Sequence, residues 1–108
     1  MVKSKIDKDT LNSIERYVSE ISKYYKIDYI ILFGSYVKGT HHKDSDIDIA
    51  VVSKDIKDCI DDGAKLISLT WGIDTRIEPH AINTEEFDMG STPFIDEIIE
   101  TGIKIYAA

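Results

Sequence analysis

One cysteine, Cys59, stands among 108 residues, so the chain forms no internal disulfide and no cysteine-based structural zinc site. A reducing, cytoplasmic setting is the compartment that fits. The longest unbroken apolar run, Tyr29 to Phe33, is five residues, against roughly 20 for a bilayer span. Neither a membrane segment nor a signal-peptide core is expected. Basic residues are also short: 13 Lys and Arg against 20 Asp and Glu give a net charge of −7. Binding to a polyanion by counterion release is therefore disfavoured, and nucleic acid is not the expected partner. The six glycines, at positions 34, 39, 63, 72, 90 and 102, fit neither G-x-G-x-x-G nor a P-loop. Two common ways of cradling a nucleotide are thereby excluded.

What is present is ordinary for a folded protein, 43% apolar and 31% charged, and the length suits one domain over residues 1–108. The charge is uneven. Residues 1–26 carry six basic and four acidic groups, whereas residues 55–108 carry four and twelve. A solvated acidic surface explains this, and so does a docking face for a complementary partner.

Leu11, Ile14, Val18, Ile21 and Tyr25 recur at three and four and predict a helix over residues 10–25. The run Tyr29-Ile30-Ile31-Leu32-Phe33, stopped by Gly34, reads as a central strand buried on both faces. A second strand over 47–52 alternates Ile47, Ile49 and Val51 against Asp46, Asp48 and Ala50. Ile56, Ile60, Gly63 and Ile67 suggest a helix over 56–69, with Cys59 as a small buried hydrophobe, and Ile73 to Ile77 a strand ended by Pro79. Thr92 and Pro93 open a last helix that ends at Gly102, with a short strand over 103–106 behind it. Alternating helices and strands predict an α+β sandwich.

The chemistry is concentrated in GSYVKGTHHKDSDID, residues 34–48. Gly34 permits close backbone approach to a ligand, and Ser35, starting a short helix, would turn N–H groups and a hydroxyl toward an anion. Asp46 and Asp48 project from one face of a strand, where two carboxylates repel unless a cation lies between them. Hard oxygen donors select Mg2+ or Mn2+. Each half is weak alone, but on consecutive strands they supply the phosphate and metal halves of one site. His41 and His42 lie in the connecting loop and His80 follows Pro79, all three most simply read as solvent-facing.

Gly34-Ser35, ten residues, then Asp46-Ile47-Asp48 resembles the signature of the DNA polymerase beta-type nucleotidyltransferase superfamily, specifically its minimal nucleotidyltransferase (MNT) branch. The resemblance implies a mixed central sheet flanked by helices and a third carboxylate on a later strand. Ile73-Asp74-Thr75-Arg76-Ile77-Glu78-Pro79 is similar to that strand, which puts Asp74 in the role, with Glu78 as runner-up on the same face. Two Mg2+ ions held by Asp46, Asp48 and Asp74, with Mn2+ as a substitute, and ATP phosphates on Gly34 and Ser35 are what the family implies. So is transfer of AMP to a hydroxyl with release of pyrophosphate, Asp74 helping to remove the proton. Arg76, on the face of Asp74, is placed either to pair with a carboxylate and orient it or to form an ordinary cross-strand salt bridge.

The residues leave no room for an acceptor domain, so the acceptor platform is expected on another copy or another protein. In HEPN/MNT toxin–antitoxin pairs the small protein resembles an antitoxin that adenylylates a tyrosine of a helical HEPN-domain toxin. Two other readings compete: a binding module that neutralises its partner by complex formation alone, and a small-molecule adenylyltransferase of the antibiotic-modifying kind.

Overall fold

Asp7 starts the first helix, α1 (Lys8–Ile21), its carboxylate accepting from the Thr10 N–H at 3.0 Å and the Thr10 hydroxyl at 2.7 Å. The computed structural model describes residues 6–40, 45–90 and 92–108; His41 and His42 lie outside them. After α1 come β1 (Ile27–Phe33), α2 (Ser35–Lys38), β2 (Ile47–Ser53), α3 (Cys59–Ser68), β3 (Ile77–Asn83), α4 (Thr84–Met89), α5 (Pro93–Thr101) and β4 (Ile103–Ala107). The four strands form one sheet in the order β3-β2-β1-β4. β1 runs antiparallel to β2 and β4, while β2 and β3 are parallel. The expected mixed sheet between helices is what the chain forms.

Both faces of the sheet are covered. On one, Ile30, Leu32, Ile47, Ile49, Val51 and Ile77 pack with Ile14, Tyr17 and Ile21 of α1 and Leu66 of α3. On the other, Ile31, Phe33, Ala50, Val52 and Ile82 meet Phe87 of α4 and Ile95 and Ile98 of α5. This explains why β1 is unbroken in its apolar character from Tyr29 to Phe33: a central strand with helices on both sides has no solvent face there. Tyr17, fully buried, donates its hydroxyl to the Leu66 carbonyl at 2.6 Å and ties α1 to α3. Burial pushes its phenol well above the ordinary range. Tyr17→Phe leaves that carbonyl unpaired and is expected to lower stability by about 1–2 kcal/mol, seen as a lower urea midpoint at unchanged slope.

Three expectations are corrected. The third strand does not span 73–77 but begins at Ile77 and runs through Pro79 to Asn83. Residues 73–76 instead turn: Ile73 and Asp74 N–H groups donate to the Thr70 carbonyl, and the Arg76 N–H donates to the Asp74 carboxylate at 3.0 Å. An aspartate that bonds the backbone two residues ahead favours such a turn over a strand. Pro79 is tolerated because β3 is an edge strand, where a missing N–H need not break the ladder.

α3 also differs. It starts at Cys59, capped by Asp58, and turns Leu66 inward, while Ile60 is 78% exposed and Ile67 49%. Cys59 is exposed rather than buried. Finally, α4 is a short helix that alternation did not announce; Asn83 caps it by accepting from the Glu85 N–H at 2.9 Å. No helix among the described residues is long and apolar enough to cross a membrane.

Candidate active site

β1 ends at Phe33, paired with Asp48 of β2. The turn that follows uses Gly34 at φ 78°, left-handed backbone that L side chains rarely adopt. A Cβ there would stand 2.5 Å from Asp48 Oδ2, so glycine is required by space as well. α2 then begins at Ser35 without a side-chain cap, and Val37 and Lys38 N–H groups close back on the Gly34 carbonyl. Helix geometry leaves the Ser35 N–H without an intrahelical acceptor. Gly34 and the Asp48 carboxylate are thus close neighbours.

Asp46 and Asp48 share the side of β2 that carries Ala50 and Val52, the face covered farther along by α4 and α5. Parallel pairing sets Asp48 opposite Glu78 on β3. Glu78 lies beside Asp46 and in the field of both aspartates. Its carboxyl is raised above the usual range, by withdrawal from water first and then by Asp46 and Asp48. His80, two residues on, places Nε2 3.3 Å from Asp48 Oδ1.

Asp74 is not brought to this group. Its carboxylate grips Arg76 with both oxygens, Nη2–Oδ2 at 2.9 Å and Nε–Oδ1 at 3.1 Å, and also bonds Ser13 of α1 on the opposite layer. The Arg76 guanidinium in turn reaches the hydroxyl of buried Tyr36 at 3.4 Å. The Arg76 side-chain hydrogen bond, more than any other contact, holds the Asp74 carboxyl down at about 2, against 3.8 ordinarily. A folded-state value below the unfolded one means stability that is complete above the unfolded pKa and lost as pH falls through the folded one. We expect Asp74→Asn to remove about 2 kcal/mol at neutral pH. The variant's melting temperature should also fall less steeply than wild type when pH drops from about 5 to about 2, a comparison scanning calorimetry makes directly.

The carboxylates that converge are therefore Asp46, Asp48 and Glu78, with His80 beside them. The strand register, invisible in residue order, is what selects Glu78 over Asp74, and continuation of the strand past Pro79 is what brings in His80. Alternation of Glu78 and His80 around Pro79 was the available signal.

Crowded oxygen donors of like charge suit a hard divalent cation, which relieves the repulsion that raises Glu78. Such a group beside a Gly-Ser turn is a site of the kind that handles a nucleoside triphosphate together with a divalent ion.

The chain belongs to the family described as polymerase beta, nucleotidyltransferase, which it matches over residues 15–108. It is 57% identical over 35 residues to the protein adenylyltransferase MntA of Shewanella oneidensis, a stretch covering 32% of this chain and 25% of that protein. The match thus spans a quarter of the curated relative's length. Among solved structures, a toxin–antitoxin with AMP-PNP aligns with TM-score 0.63 and 27% identity over 91% of this chain and 73% of that one. A tri-AMPylated Shewanella oneidensis HEPN toxin in complex with MNT antitoxin aligns with TM-score 0.56 and 20% identity, over 93% and 73%. At that identity the likeness is one of fold.

Proposed function

We propose that the protein transfers AMP from ATP to a hydroxyl of a partner protein, a tyrosine of a HEPN-domain toxin, and so acts as an antitoxin. The observation that carries this is the convergence of Asp46, Asp48 and Glu78 from adjacent parallel strands beside Gly34-Ser35. The named relatives support the acceptor class: one is a protein adenylyltransferase and another a complex whose HEPN toxin is AMPylated.

In this reading Asp46 and Asp48 would hold Mg2+, with two ions expected, and Glu78 takes the third-acid role that residue order had given to Asp74. Bound Mg2+ supplies charge neutralisation for the triphosphate and a lowered pKa for the acceptor hydroxyl. The chain's residues do the rest. Ser35 and the adjoining backbone N–H groups seat the distal phosphates. Asp48, backed against Gly34, would hold the ion beside that turn. Glu78, on the open edge strand, orients the acceptor hydroxyl for in-line attack and receives its proton. A bond forms from that oxygen to the α-phosphorus, the bond to the bridging oxygen breaks, and pyrophosphate leaves.

A second reading, neutralisation by complex formation alone, is favoured by the exposed apolar side chains of Ile60, Ile67 and Trp71, at 78%, 49% and 77%. The two part in cells producing the toxin. The catalytic reading expects Asp46→Asn to lose protection while still co-purifying with its partner; full protection by that variant would overturn it.

A further inference from the structure

β3 turns two side chains toward Asp48: Glu78 opposite it in register, and His80 one step along the same face. The imidazole is held by ring contacts. Its centroid lies 5.1 Å from that of Phe33 and 5.7 Å from that of Phe94, so an aromatic niche formed by β1 and α5 sets the ring's direction. From there Nε2 sits 3.3 Å from Asp48 Oδ1 and 3.9 Å from Glu78 Oε1. One donor atom from each of Asp48, Glu78 and His80 lies within 4.8 Å of the others.

These separations are long for hydrogen bonds, whose N–H···O distances run to about 3.2 Å. They suit a shared ion better. Around an octahedral ion with ligands at about 2.1–2.2 Å, adjacent donors stand about 3.0 Å apart and opposite donors about 4.3 Å. The His80 distances fall between those limits. An imidazole nitrogen is a poor ligand for Mg2+, which prefers oxygen and water, and a good one for first-row transition ions.

We infer that His80 is a direct ligand of the ion held by Asp48 and Glu78, and that the resulting mixed oxygen and nitrogen set makes this position prefer Mn2+ to Mg2+. The inference rests on the reading of the carboxylates as metal ligands given above, and it concerns which ion they hold. It assigns to the Phe33 and Phe94 rings the job of keeping the imidazole aimed.

The test uses the full chain with Mn2+ as probe. Pulsed electron paramagnetic resonance should show nitrogen modulation from a coordinated imidazole in the wild type. His80→Phe keeps a ring between Phe33 and Phe94, and His80→Gln keeps a donor toward Asp48. Both should lose the modulation and bind Mn2+ at least about tenfold more weakly, with Mg2+ affinity unchanged in competition titrations. Thermal melts of both variants confirm that the fold persists. Mn2+ bound without nitrogen modulation in the wild type, or bound equally by both variants, would overturn the inference and leave the carboxylate reading standing. Unchanged Mn2+ binding by Asp48→Asn would overturn both.

Discussion

Asp48→Asn should reduce AMP transfer by about a thousandfold or more while leaving the protein folded and at least as stable as wild type. The expectation has two halves because Asp48 has two relationships. Toward substrate, it is the carboxylate shared by everything in the site: it abuts Gly34, faces Glu78 across the strand pair and meets His80. Toward the fold, it is a negative charge beside Glu78 and Asp46 that the native state must tolerate. Replacing it with a neutral amide of the same shape removes repulsion in the empty protein. The signature is therefore loss of transfer with an unchanged or raised melting temperature, followed by α-labelled ATP assays and thermal melts on the same preparation. Lost transfer with a large drop in stability would assign Asp48 a structural role instead.

The second large effect separates Glu78 from Asp74. Glu78→Gln should lower transfer by about a hundredfold or more, because the group that orients and deprotonates the acceptor loses its basicity. Asp74→Asn should alter transfer only a few-fold and show its effect in stability, since its carboxylate is engaged by Arg76 and Ser13 on the α1 side of the sheet. Parallel kinetics and urea titrations on the two variants decide the assignment. The reverse pattern, an inactive Asp74→Asn beside an active Glu78→Gln, would place the acceptor on the other side of β3.

The contrast between these acids also shows what residue order could and could not convey. The first helix, expected over 10–25 and found at Lys8–Ile21, the buried run at 29–33, the facing of Asp46 with Asp48, and the Thr92-Pro93 start of the last helix were legible because each follows from a short-range rule: a stripe, an alternation, a cap. The location of β3 was not, because two nearby signals pointed the wrong way. Ile73, Thr75 and Ile77 alternate like a strand, yet the Asp74 side chain bends the backbone at Arg76. Pro79 looks like a terminator, yet on an edge it can be passed. Only the register Asp48↔Glu78 resolves which acid joins the pair on β2. The face of α3 failed for a related reason. Ile60 and Ile67 form a stripe, but Leu66 occupies the core position and receives the Tyr17 hydroxyl at its carbonyl.

The central claim is that this site moves AMP to a partner protein, and labelled ATP tests it most directly. The purified chain, a divalent ion and the proposed HEPN-domain partner are incubated in parallel with ATP labelled at the α- or the γ-phosphate. The account predicts label retained on the partner from the α-position only, pyrophosphate released in equal amount, and neither when the divalent ion is chelated or Asp48 is replaced by Asn. A partner that stays unlabelled from α-labelled ATP while still being neutralised, or that takes label from the γ-position, would contradict it.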